Sequence, residues 1–231
     1  MAFRKKAGAI LQYKPDILIV QECEHPDKLL FSKDLPKPAS SLWIGTNRNK
    51  GLGIFSYSDF KIKLLKGHNR DIRLVAPIKI TNAHSAIILF AIWAHNPADK
   101  DGQYVTQIWK ALKHYKKIIR DTNTILIGDF NSNAIWDRPR RESNHSAVVK
   151  LLEQKNIHSV YHKYFSLEQG KETHPTHYLY RHKNRPYHLD YCFVSQDLLN
   201  RLQTVEVGNY ENWKEYSDHV PVITSFRATK I

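Results

Sequence analysis

The sequence predicts an α/β fold over residues 1–231, a single domain in which two β-sheets pack together with helices outside. Three observations carry this expectation. Apolar runs such as Ile17-Leu18-Ile19-Val20 are unbroken, which suits strands covered on both faces. Strand-like segments outnumber helical ones, so two packed sheets serve better than one open sheet. The helical segments are spread along the chain, which puts helices outside the strand layers. No internal repeat or low-complexity linker divides the sequence.

Residues 3–14 read as a helix, with Phe3, Ala7, Ile10 and Leu11 at helical spacing, and Lys14-Pro15 stops it. "DILIVQE" (16–22) follows as a buried strand. "GLGIFSYS" (51–58) and "RLVAPIKI" (73–80) read as further strands, and "SAIILFAIWA" (85–94) as a central one. Residues 103–120 form the clearest helix: Ile108, Leu112, Tyr115 and Ile119 line one side and lysines the other. "NTILIGDF" (123–130) is another buried strand, and "NHSAVVKLLEQKN" (144–156) a helix with Asn144 as its N-cap. Residues 157–186, rich in His, Tyr and Lys, show little periodicity and read as a long surface loop with short ordered pieces. Strands at 187–195, 202–208 and 219–226 close the chain.

Hydrophobic residues make up 42% of the chain, enough for a sizeable core. The net charge of +13 implies attraction to polyanions, nucleic acid first and anionic membrane surfaces second. The two cysteines, Cys23 and Cys192, lie inside apolar runs and read as buried free thiols of a reducing compartment. No zinc-type Cys/His spacing occurs. No apolar run is long enough to cross a bilayer, and the basic start lacks an apolar stretch of signal-peptide type. A soluble cytoplasmic protein, monomeric and without a membrane segment, is therefore expected.

Polar groups gather at strand ends. Glu22 ends "DILIVQE", His95 and Asn96 end "FAIWAHN", and Asp129 and Asn131 end "TILIGDFN". Asp190 lies in "HLDYCFV", and Asp218 and His219 open the last strand. Ligand sites of α/β sheets form where strand ends meet, so these groups can converge on one cleft. Carboxylates and amides without thiolates make an oxygen-rich site suited to Mg²⁺ or Mn²⁺, with Glu22 the first choice of ligand. A histidine can donate to charge developing on a phosphate. The set describes phosphoester hydrolysis. Each residue alone has a plainer reading; Asp129 with Asn131, for example, can form an Asx-type turn after Gly128.

Four motifs, "IVQECE" (19–24), "GDFN" (128–131), "HLDYCFVS" (188–195) and "SDHVPV" (217–222), resemble those of the endonuclease/exonuclease/phosphatase family of exonuclease III-type repair nucleases and DNase I, in the same order. The resemblance implies a four-layer α/β sandwich of two mixed sheets flanked by helices. It implies that Glu22 binds the divalent metal with Asp218 beside it, and that Asp129 orients or deprotonates the attacking water. Asn131 would hold water or phosphate, Asp190 would orient His219, and His219 would contact the scissile phosphate. His95 falls where DNase I-like members place a histidine that serves the phosphate. Members usually open with a strand ending in an active-site asparagine, upstream of the first helix. Here Met1 leads directly into the helix, so that strand is expected to be missing, and either the natural reading frame is longer or this form is weakly active and prone to aggregate.

The charge favours nucleic acid as substrate. In "THPTHYLYRHKNRPYH" (173–188), Arg181, Lys183 and Arg185 are expected to grip phosphates, and Tyr178 and Tyr180 to stack on bases. The alternatives are a phosphatase or lipid phosphodiesterase of the same family, or a nucleic-acid-binding protein with weakened catalysis.

Overall fold

The structure, a computed structural model, describes residues 3–31, 35–72, 74–95 and 104–228. Its first strands are β1 (Ile17–Cys23), β2 (Ser40–Asn47), β3 (Lys50–Ser56), β4 (Lys61–Leu64), β5 (Val75–Thr81), β6 (Ala86–Trp93) and β7 (Thr124–Asp129). There follow β8 (Ile157–Ser159), β9 (His177–Tyr178), β10 (Pro186–Tyr187), β11 (Asp190–Ser195), β12 (Leu202–Val207) and β13 (Val222–Phe226). The helices are α1 (Ala7–Leu11), α2 (Val105–His114), α3 (His145–Glu153), α4 (Val160–Phe165), α5 (Gln196–Leu199) and α6 (Tyr210–Trp213).

A six-stranded sheet of order β4-β5-β6-β7-β11-β8 forms the centre. It is mixed, because β6 and β7 run parallel while the other neighbours are antiparallel. Side chains of a strand alternate between faces, and β7 shows what each face meets. Leu126 packs with Ile108 and Leu112 of α2 and Val148 and Leu152 of α3. Ile125 and Ile127 face the other way, toward Leu52 and Ile54 of β3 and toward Val205 and Phe226 of the β12–β13 ribbon. The second layer is therefore the antiparallel sheet β1-β3-β2 together with that ribbon. Phe3 and Ala7 cover its outer face, packing on Val20, Cys23 and Phe55. Helix, sheet, sheet and helix make four layers, as expected. Among the described residues no strand precedes β1, and β1 and β13 each pair with one strand only.

Several elements differ from expectation. The α-helix of 103–120 ends at His114, but the turns beyond it still bury Tyr115 and Ile119. Residues 96–103 and Arg73 lie outside the described residues, and with them the start of that helix and Asn96. Asn144 sits at the N-cap of α3, yet its side chain bonds the backbone of Arg138 instead. The helix N–H groups of His145 and Ser146 donate to the Asp137 carboxylate, at 2.8 and 3.0 Å, which meets the demand of an uncapped N-terminus.

The largest correction concerns 157–186. Its first part is not surface loop: β8 joins the six-stranded sheet, and α4 buries Val160, Tyr161 and His162. Polar residues here are buried by pairing with one another, so no apolar period marks them. Glu172 accepts from His162 Nε2 at 2.9 Å, Asn133 Nδ2 at 3.1 Å and the Gly170 N–H at 3.0 Å. Among the described residues no helix is long and apolar enough to cross a membrane. Cys23 and Cys192 are buried free thiols, and burial pushes the Cys192 thiol up to about 12.

Candidate active site

The site begins with a glycine. Gly128 has φ +139°, and a Cβ placed on it would lie 2.0 Å from the Ile92 carbonyl oxygen. Only glycine lets the end of β7 pass so close to β6. The next residue, Asp129, is 4% exposed, beside Trp93 on β6 and opposite Asp190 on β11. Asn131 turns back at φ +46°, giving its N–H to Asp129 Oδ1 at 2.8 Å and its Nδ2 to Asp129 Oδ2 at 2.7 Å. The Asx-type turn is thus real, and it locks the carboxylate in place.

His219 Nδ1 and Asp190 Oδ2 are 2.8 Å apart. Burial disfavours the imidazolium, but the charge and hydrogen bond of Asp190 outweigh it and raise His219 to about 9. Asp190 moves down: burial pushes it up, and His219 more than offsets that. Asp129 is pushed up to about 7, by burial first and by the charge of Asp190 second. Thr176 Oγ1 accepts from the N–H groups of Leu189 and Asp190 at 2.9 and 3.0 Å and so fixes where β11 begins.

Glu22 occupies the distorted end of β1. It has φ +55°, and the pairing with β3 shifts register between Val20 and Cys23. A bulge of this kind re-aims a side chain, and a left-handed non-glycine residue is strained. The Glu22 carboxylate is 41% exposed and meets Lys50 Nζ at 2.7 Å. Burial raises its pKa, and the hydrogen bond and charge of Lys50 reverse the shift to a net lowering. Asp218 is 47% exposed, with its backbone carbonyl accepting the Tyr178 N–H. His95 follows β6 with its ring 4.8 Å from that of Trp93, while the neighbouring Ala94 N–H donates to the Asp129 carbonyl.

Among the described residues no group of three or more His, Cys, Asp or Glu is arranged to hold a metal ion unaided. Magnesium does not need one, since it keeps several waters and binds through one or two carboxylates. Glu22 and Asp218 offer half-exposed oxygens, and the nearest thiol, Cys23, is buried, so the donor set fits that ion.

Two site residues escaped the sequence. His177 pairs with His219 in an isolated β-bridge, with ring centroids 4.5 Å apart, and its Nε2 is 4.0 Å from Asp218 Oδ2. Lys6 stands just before α1. Burial holds its ammonium below the usual lysine range, against the pull of Asp218, Cys23, Glu22 and Asp190.

The expected nucleic-acid contacts divide. Tyr180 is 74% exposed and Arg185 is exposed. Arg181 is half-buried, and its carbonyl accepts from Tyr210 Oη at 2.7 Å. Lys183 pairs with Glu211 at 2.6 Å, which lowers its value as a phosphate contact. Tyr178 is a correction: it is 9% exposed, packed with Trp213 and Val220 and set 4.8 Å from the Tyr210 ring, so no base can stack on it. A different basic and aromatic surface adjoins the site. A cavity of about 410 Å³ is lined by Asn131, His177, Trp136, Tyr187, Arg138 and Arg141. The Trp136 and Tyr187 rings lie 5.1 Å apart, and Trp136 is 47% exposed. The signal for it was "IWDRPRR" (135–141), an aromatic followed by arginines one residue after "GDFNSN" (128–133).

The sequence model of the Endonuclease/Exonuclease/phosphatase family matches residues 7–219. The chain belongs to this family. The matched span reaches from α1 to His219 and contains Glu22, Asp129, Asn131, Asp190 and Asp218. No curated protein matches the chain. Among solved structures, the chain is similar to an AP endonuclease from Archaeoglobus fulgidus, with 19% identity, a TM-score of 0.69, and coverage of 98% of this chain and 96% of that one. It is also similar to an AP endonuclease from Leishmania major, at 14% identity and TM-score 0.70 over 97% of this chain and 82% of that one. A 3′-5′ exonuclease from Neisseria meningitidis gives 19% identity and TM-score 0.65 over 97% and 96%. At these identities the likeness establishes the shared α/β fold of this Endonuclease/Exonuclease/phosphatase family member.

Proposed function

We propose that this protein is a nuclease that hydrolyses phosphodiester bonds of DNA or RNA with Mg²⁺ or Mn²⁺, by in-line attack of water on phosphorus. The observation that carries the reading is the linked set Asn131–Asp129 and Asp190–His219 at one end of the six-stranded sheet. Glu22, with Asp218 beside it, would hold a divalent ion, which would supply charge neutralisation for the phosphate.

The chain's own groups do the rest. Asp129, raised to about 7, is matched to taking a proton from water near neutral pH. Asn131 holds that carboxylate by its backbone N–H and its amide. Asp190 engages His219 Nδ1, so Nε2 is the nitrogen left to donate to a phosphoryl oxygen. With its pKa raised to about 9, His219 is a cation at neutral pH and meets developing negative charge directly. Two facing carboxylates shifted in opposite directions support a division of labour between proton acceptor and histidine orienter.

Nucleic acid as the substrate class is supported by the +13 net charge and by the cavity beside Asn131, where Trp136 and Tyr187 offer rings and Arg138 and Arg141 offer cations. The deciding experiment is a nicking and degradation panel with Mg²⁺ and Mn²⁺ on plasmid, single-stranded DNA, abasic DNA, RNA and a small phosphodiester. Metal-dependent cleavage of a nucleic acid supports the proposal. Faster turnover of the small phosphodiester than of every nucleic acid moves the assignment to a phosphodiesterase of small substrates.

A further inference from the structure

Lys50 opens β3 at the end of the β2–β3 hairpin, where it pairs with Asn47. The next residue, Gly51, faces Cys23 just past the bulge that re-aims Glu22. The Lys50 side chain runs back from this hairpin over the Trp93 ring, with Nζ 5.4 Å from its centroid. Trp93 is the register neighbour of Asp129. The ammonium ends 2.7 Å from Glu22 Oε1, on the carboxylate best suited to a divalent ion.

An ammonium and a divalent cation on one carboxylate compete, because they repel each other and both draw on its lone pairs. The divalent ion has twice the charge and approaches to about 2.0–2.1 Å. The competing pair is weak by comparison: both partners are about two-fifths exposed, and ion pairs so open to water contribute little. Lysine suits this role, since its ammonium is a point charge on a flexible stem that can leave without disturbing the backbone.

We propose that Lys50 is a resident cation of Glu22, exchanged for the divalent ion when that ion binds. The exchange rests on the metal assignment to Glu22. In it, metal affinity is set partly by the lysine that must be displaced. A purely structural Lys50–Glu22 pair differs in consequence, because its loss lowers stability and does not tighten metal binding.

The test is titration calorimetry of Mn²⁺ into chelator-stripped wild type, Lys50→Met, Lys50→Arg and Glu22→Gln, with thermal unfolding of each in chelator as the folding control. Lys50→Met should bind Mn²⁺ about two- to fivefold more tightly, the range that release of a half-exposed pair provides. Lys50→Arg, which keeps a cation, should stay near wild type. Independently of any variant, the ¹⁵N resonance of the Lys50 ammonium should shift as Mg²⁺ is added. Unchanged or weaker Mn²⁺ binding by folded Lys50→Met, with binding abolished in Glu22→Gln, overturns the exchange alone. So does a Lys50 resonance that stays still while Mg²⁺ saturates the protein. Wild-type Mn²⁺ affinity in Glu22→Gln overturns the metal assignment and the exchange with it.

Discussion

Asp129 and Asp190 stand directly opposite each other in the β7–β11 pair, yet their carboxyls are driven in opposite directions, Asp129 up to about 7 and Asp190 down. The difference lies in the partner: Asp190 faces the His219 imidazolium at 2.8 Å, while Asp129 meets the neutral amide of Asn131. Burial raises both carboxyls and their like charges oppose each other, so the one without a hydrogen-bonded cation yields.

This relationship predicts a two-limbed pH profile. Asp129 must be ionised to accept a proton, so turnover should rise with pH up to about 7, or lower where a bound cation favours the carboxylate. His219 is raised above its unfolded value of 6.5, so the stability its ion pair contributes is complete below that pH, and the ion pair itself is lost as pH rises through about 9. Turnover should fall there. Asp190→Asn should move the alkaline limb back toward 6.5, read by NMR titration of the His219 ring. His219→Ala should lower turnover by roughly a hundredfold or more. The double variant should lose little beyond the worse single one, because the two residues act as a unit. Additive losses would show that they do not.

Chelation and Glu22→Gln should converge. Excess chelator should abolish turnover, and Glu22→Gln should raise the Mg²⁺ concentration needed for half-maximal rate while leaving the fold intact. Full turnover in excess chelator would exclude a divalent ion from the reaction.

Substrate grip should map to the cavity beside Asn131 rather than to the exposed end of the loop after Tyr178. Arg138→Ala and Arg141→Ala should each weaken nucleic-acid binding and reduce the salt dependence of log K by about one, as loss of a phosphate contact does. Trp136→Ala should remove about 1–3 kcal/mol of stacking on a single strand. Lys183→Ala, already paired with Glu211, should change binding least. Equal effects from all four, measured by fluorescence anisotropy across a salt series, would count against the cavity as the binding surface.

Glu172 should govern acid stability. Burial raises this carboxyl, but hydrogen bonds from His162, Asn133 and the Gly170 N–H bring it down to about 2, from 4.5. A lowered acid contributes stability that is complete above 4.5 and lost as pH falls toward 2. Glu172→Gln should cost about 1–3 kcal/mol at neutral pH, through donors left unsatisfied. Its unfolding midpoint should then vary less than wild type's below pH 4.5. Parallel pH curves for the two proteins, measured by denaturant unfolding, would refute this.

The sequence by itself determined the layers and the ends of strands. Unbroken apolar runs marked β1, β6 and β7, and these do lie between two covered faces. Gly128 followed by Asp129 and Asn131 announced a tight polar turn, because only glycine fits beside the Ile92 carbonyl and an amide two residues on can reach back. Short strands such as Lys61–Leu64, whose alternation spans only four residues, carried too little pattern to be read. The polar segment after Asn156 hid a buried network, since pairing among Glu172, His162 and Asn133 replaces the apolar period that marks a core. What tertiary structure alone decided was which distant side chains meet. Lys50 on Glu22, His177 on His219 and Trp136 against Tyr187 are set by strand register and by a bulge in β1. Tyr178 was lost to the core by the same means, when α6 and the segment before β13 closed over it. Periodicity and turn chemistry act over a few residues and can be read along the chain. Register couples residues far apart in sequence, and one residue of slip would turn a strand's side chains to the opposite face.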